Sequence, residues 1–200
     1  MAEPQPAPPT PKPARHGPVD DGVFFLITLN LLGFVLDHGL DLPEMQKLYL
    51  PLDGGEWYQY VTALFCHSSW EHLSGNLFFL YVFGKLVEER EGTFSVIVSF
   101  LVCGLGANVI SAWWLHEGVL VGASGAVFGL FIVSVLIRLR LEVKRLLEVA
   151  ILGQFVVAQI LEEVGALGAR DGVSHLTHLG GAITGAFCAA MLARMFQPAK

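Results

Sequence analysis

The sequence predicts an all-α polytopic membrane protein, a bundle of six transmembrane helices. Three observations predict it. The chain has 200 residues, of which 54% are hydrophobic and 15% charged, where soluble domains carry about 25% charged residues. Its mean hydropathy is +0.58, more apolar surface than a soluble protein of this size buries. Six apolar stretches, at the ~20 residues that one bilayer crossing needs, account for about 120 positions. A soluble enzyme and a secreted disulfide scaffold are disfavoured together. So is a nucleic-acid partner, given a net charge of −6 and no basic patch.

Seven of the ten prolines fall between Pro4 and Pro18. Residues 1–20 therefore read as a disordered, polyproline-like tail, ahead of a membrane domain over 21–196. No basic-then-apolar signal pattern opens the chain. The apolar runs cover 23–36, a second from Ser68 to the cluster Glu88-Glu89-Arg90-Glu91, then 94–115, 119–137, 146–161 and 176–192. In lipid the backbone must satisfy its own hydrogen bonds, so each run is expected to be a helix. Cys66, Cys103 and Cys188 are widely spaced in apolar surroundings and fit buried small hydrophobes, not a C-x-x-C motif.

Positive charge sets the orientation. Lys12, Arg15, Lys85, Arg90, Arg138, Arg140, Lys144, Arg145, Arg194 and Lys200 fall on one side, and Lys47 and Arg170 on the other. Both termini are accordingly expected in the cytoplasm. Spans two, four and six then all enter from outside, which sets Ser124, His178, His72 and Asn76 at a shared depth of about 8–12 Å. Polar groups level with one another inside a membrane signal a functional site. Glu88, at the other boundary, needs a partner, and the amides of the following turn or Arg90 are the nearest.

Span two opens Cys66-His67-Ser68-Ser69-Trp70-Glu71-His72. Ser68 and Glu71 form a capping box that starts the helix at Ser69, and Asn76 shares a face with His72. Imidazole and carboxamide in line can donate hydrogen bonds to a reacting group, or simply tie helices together. Gly122-Ala123-Ser124-Gly125 puts a hydroxyl beside unpaired amides and the positive end of a helix dipole, where an oxyanion is stabilised. The tetrapeptide equally suits an N-cap followed by close helix packing at Gly125 and Gly129. On span six, Gly181 and Gly185 continue the face of His178 and form a strip that can meet Gly125 and Gly129. That contact would bring His178 to Ser124, which needs a base to act as a nucleophile. Phe128, one turn below Ser124, can fix the plane of the imidazole.

Taken in order, these motifs resemble the rhomboid family of intramembrane serine proteases. The resemblance covers spans one to six. It is carried by His67-x4-His72-x3-Asn76, Gly122-x-Ser124-Gly125 and His178-x2-Gly181-x3-Gly185, with Asn30 and Gly84-x3-Glu88-x-Arg90-x-Gly92 also similar. It implies a six-helix bundle of rhomboid type and a serine endopeptidase that cuts membrane-anchored proteins within or beside their transmembrane segments. It further implies a Ser124–His178 dyad without a third acidic residue, and oxyanion contacts from His72, Asn76 and the Ser124 N–H. No metal or cofactor is implied. The expected partners are the lipid bilayer and membrane-anchored substrates with small residues at the cut and helix-weakening residues nearby. His67 and Thr177 are expected to help line a water-filled cavity. This chain departs from the family's pattern in having Phe128 where members often have tyrosine, and in a short 37–57 loop.

Three rivals remain in view. A membrane metalloprotease would gather His67, His72, His175 and His178, but no H-E-x-x-H occurs. A channel or transporter would show broken-helix repeats or a ring of like charges. A relative that holds membrane clients without cutting them typically lacks the serine or the histidine, and this chain has both. The compact span set leans towards a bacterial plasma membrane. Nothing in the chain sets an oligomeric state.

Overall fold

The computed structural model describes residues 21–138, 150, 154, 157–158, 160–167 and 174–195. The proline-rich segment over 1–20 and most of span five lie outside the described residues. Among the described residues, five helices carry the fold: α1 Gly22–Phe34, α3 Trp70–Glu91, α4 Thr93–Trp114, α5 Ser124–Leu136 and α6 His175–Met195. A short α2, Gln59–Thr62, precedes α3, and residues 160–165 are also helical. The segments Gly22–Gly39, Thr93–Trp114 and His175–Arg194 are long and apolar enough to cross a membrane. The chain is a polytopic helical membrane protein.

At the start of α1, the N–H groups of Gly22 and Val23 donate to Glu88 Oε1 at 2.6 and 3.3 Å. A carboxylate suits the positive end of a helix dipole. Lys85 Nζ lies 2.6 Å from Glu88 Oε2, and the Thr93 hydroxyl reaches Oε1 at 3.4 Å. The sequence expectation of pairing with the next turn or with Arg90 is therefore corrected, since the Arg90 Nε–H donates to Glu91 instead. This buried carboxylate takes donors from the start of α1, from Lys85 one turn back on α3 and from Thr93 at the start of α4. Gly92, at φ +86°, then turns the chain directly from α3 into α4.

The 37–57 loop is short and folded. α1 runs into one π turn, Val35–Gly39, followed by the 3-10 segment Pro43–Leu48 and the strand β1, Leu50–Pro51. β1 pairs antiparallel with β2, Val119–Leu120, with Leu50 opposite Leu120. The first residues of the expected fourth span are thus strand and turn, and α5 begins only at Ser124.

α5 packs against α3, α4 and α6 and is buried on nearly every side, with Gly125, Ala126, Val127 and Gly129 to Val135 all inside. An all-round apolar helix is one that other helices enclose. Its 13 residues rise about 20 Å, short of the ~30 Å hydrocarbon core. Its first residue, Ser124, lies at the same end of the bundle as the start of α3 and the end of α4. All four tryptophans, Trp57, Trp70, Trp113 and Trp114, are exposed at that end of the bundle, as in an interfacial aromatic belt. Apolar side chains such as Phe78, Phe94, Ile183 and Phe187 are exposed along the outer faces, where lipid would meet them.

Two glycine strips bring α5 and α6 together. A Cβ on Gly181 would fall on the carbonyl oxygen of Gly125, and one on Gly185 would lie 2.5 Å from that of Gly129. Only helices without side chains at these points approach so closely. The three cysteines are free and buried.

Candidate active site

Ser124 is the first residue of α5, and its position is set by the turn before it. The Gly122 N–H donates to the Ala63 carbonyl at 2.9 Å, and the Ala123 N–H to His67 Nε2 at 3.4 Å. β2 is held on β1, and the Leu52 N–H donates to the Gly118 carbonyl at 3.0 Å. The loop between α1 and α3 thus splints the entry to α5. The first-turn amides of α5 have no intrahelical acceptor, and the serine hydroxyl sits among them.

α3 brings up the next two groups. Its cap is Ser69, whose hydroxyl accepts from the His72 N–H at 3.2 Å, and the helix starts at Trp70. This corrects the expected cap by one residue. Ser68 is unavailable because its hydroxyl is 3.1 Å from His72 Nδ1. A Ser68 hydroxyl that donates there would put the His72 proton on Nε2, the nitrogen that faces Gly122. Asn76, one turn on, is buried, and its Nδ2 has no hydrogen-bond partner among the described residues. A buried amide donor is seldom left without an acceptor.

α6 supplies the imidazole. Gly125 lies against Thr177 and Gly181, so Ser124 and His178 are brought level at the same end of the bundle. The His178 ring stacks on Phe128 with centroids 5.2 Å apart and planes 4° from parallel. His178 Nδ1 is 2.9 Å from Glu163 Oε1, and His175 Nδ1 is 2.6 Å from Glu163 Oε2. The ligand atoms of Glu163, His175 and His178 all lie within 4.8 Å of one another, near enough to hold a metal ion.

Ser124, His178, His72, Asn76 and Glu163 line one cavity of about 640 Å³, floored by Phe79, Phe83, Val127 and Phe131. His67 and Thr177 do not line it, contrary to expectation. The His67 ring is buried behind His72 at 5.1 Å and holds Ala123, while Thr177 is bonded to the hydroxyls of Ser111 and Ser174. Glu163 is the residue that sequence reasoning missed. Span five was expected to end at 161, which left Glu162 and Glu163 outside as boundary charges. The structure instead finds Glu163 helical and only 5% exposed. Its partners lie 12 and 15 residues away, beyond any local pattern, although a carboxylate adjoining an apolar span was the available signal.

A family model described as the rhomboid domain matches residues 54–195. "Rhomboid-like protein 11, chloroplastic" of Arabidopsis thaliana is 46% identical over 178 residues, covering 82% of this chain and 63% of that protein. "RHOMBOID-like protein 6, mitochondrial" of the same plant is 32% identical, covering 74% and 47%. "Rhomboid protease AarA" of Providencia stuartii is 26% identical, covering 66% and 54%. The chain thus spans between about half and two thirds of the length of these relatives.

Proposed function

The chain belongs to the rhomboid family, and we propose from that premise that it is an intramembrane serine endopeptidase acting through Ser124 and His178. One observation carries the reading: Ser124, His178, His72 and Asn76, from three helices, face one cavity at the N-terminal end of α5. In the proposed reaction Ser124 Oγ attacks a peptide carbonyl and His178 Nε2 takes its proton. The oxyanion is held by the Ser124 N–H, His72 Nε2 and the unpartnered Asn76 Nδ2. His178 returns the proton to the leaving amine, and water admitted to the cavity releases the acyl-enzyme.

The supporting roles are equally part of the proposal. Gly122, Gly125, Gly181 and Gly185 allow the close approaches, Phe128 sets the imidazole plane, and His67 fixes the turn before the serine. The substrates are membrane-anchored proteins presented from the bilayer, cut by a membrane domain over 21–196 whose termini both face the positively charged side. The two plant relatives carry chloroplastic and mitochondrial in their names, which lends no support to a bacterial plasma membrane. Labelling with a serine-directed fluorophosphonate tests the assignment: Ser124 should be modified in the folded protein and Ser124→Ala should not. Absence of labelling in a folded, substrate-binding chain would favour a relative that holds clients without cutting them.

A further inference from the structure

We propose that Glu163 is a positioning residue for His178, so that this chain works with a hydroxyl, an imidazole and a carboxylate in line. This rests on the Ser124–His178 reading above, in which the family resemblance implies a dyad with no acidic third member. Glu163 is 5% exposed, lines the same cavity, and sets Oε1 2.9 Å from His178 Nδ1. A neutral imidazole carries one proton on either nitrogen. An ionised carboxylate can only accept, so at Nδ1 it fixes the N–H there and leaves the Nε2 lone pair for the serine proton. Phe128 holds the face of the ring and Glu163 holds its edge. Between them the imidazole has neither tilt nor tautomer to choose.

The second carboxylate oxygen is anchored as well, 2.6 Å from His175 Nδ1. His175 is outside the cavity lining, so it steadies Glu163 from behind. In the acylation step the Ser124 Oγ–C bond forms as the proton moves to Nε2. The peptide C–N bond then breaks as that proton passes to the leaving nitrogen. Glu163 stays ionised throughout, and its charge stabilises the imidazolium formed between the two events. The same trio is close enough to take a metal ion, but its 2.6 and 2.9 Å separations are those of charge-assisted hydrogen bonds.

The test uses the purified full chain in lipid or detergent with a transmembrane model substrate. Glu163→Gln should lower kcat about 10- to 1000-fold while KM stays within about twofold. Glu163→Asp should recover part of the loss, and at matched Tm it reads the same effect if the glutamine variant does not fold. In a His178→Ala background Glu163→Gln should remove nothing further, because the carboxylate acts only through that ring. His175→Ala breaks the other contact to α6 and should lose less than Glu163→Gln, which a merely structural tie would not do. Wild-type kcat in both Glu163 variants would overturn the proposal, as would an equal loss in the His178→Ala background or activity that needs Zn²⁺ and vanishes in EDTA. Wild-type protein that neither cleaves nor labels at Ser124 would instead sink the dyad reading itself. Normal labelling and cleavage in every Glu163 variant would sink only the positioning role.

Discussion

Gly122 and the His72 ring share one space: a Cβ on Gly122 would lie 2.5 Å from His72 Cε1 and 2.6 Å from Nε2. Gly122 is also at φ +115°, where an L side chain is strained. Gly122→Ala should therefore displace His72 as well as destabilise the turn, by about 1–3 kcal/mol. Cleavage by the folded fraction should fall at least ~10-fold, since one oxyanion donor moves. A variant with a lowered Tm and normal cleavage would show that His72 plays no part in the reaction.

Glu88 predicts an opposite split between stability and activity. It is buried against Lys85 and the first amides of α1, at the end of the bundle away from the cavity. Glu88→Gln keeps an acceptor for Gly22 but removes the carboxylate charge 2.6 Å from the Lys85 ammonium. We expect about 1–3 kcal/mol of lost stability, read as a lower Tm, with fluorophosphonate labelling of the folded fraction unchanged. An unchanged Tm would mean that the pair contributes nothing net.

These two sites show what was legible in the sequence. Local spacing places His72 and Asn76 on one face of α3, Ser124 at the head of α5, and glycine strips at Gly125/Gly129 and at Gly181/Gly185, because each depends on helix periodicity alone, while the meeting of the two strips is a packing contact. The cap moved from Ser68 to Ser69 because the Ser68 hydroxyl is taken by the His72 ring, a competition no propensity scale contains. The α1 amides that hold Glu88 and the burial of Glu163 depend on contacts 65, 66, 12 and 15 residues apart in the chain. Polar partners at such distances follow from the packing, whereas Lys85, one turn back from Glu88 on α3, lay within reach of local spacing.

Topology is open to direct measurement. On the charge bias the cavity end of the bundle, where Glu117 is exposed, is expected outside, and Glu89 is exposed at the opposite end. The three native cysteines are buried and should stay silent. In intact cells Glu117→Cys should react with an impermeant thiol reagent and Glu89→Cys should not. The reverse pattern would invert the map and put the active site on the cytoplasmic face.

The dyad is tested by the way its losses combine. A nucleophile and base that work as a unit forfeit nearly everything together when either is removed. Ser124→Ala and His178→Ala should each lower cleavage by about three or more orders of magnitude, and the double variant should be little worse. Asn76→Ala leaves the Ser124 N–H and His72 in place and should lose less, on the order of 10- to 1000-fold. Each variant must be compared at matched fold, because Ser124 borders the α5–α6 contact at Gly125 and Gly181. Strictly additive losses would mean that the two side chains act on separate steps. Full activity in Ser124→Ala would end the protease assignment, whereas a dead His175→Ala beside a live His178→Ala would keep the chemistry and move the base one turn along α6.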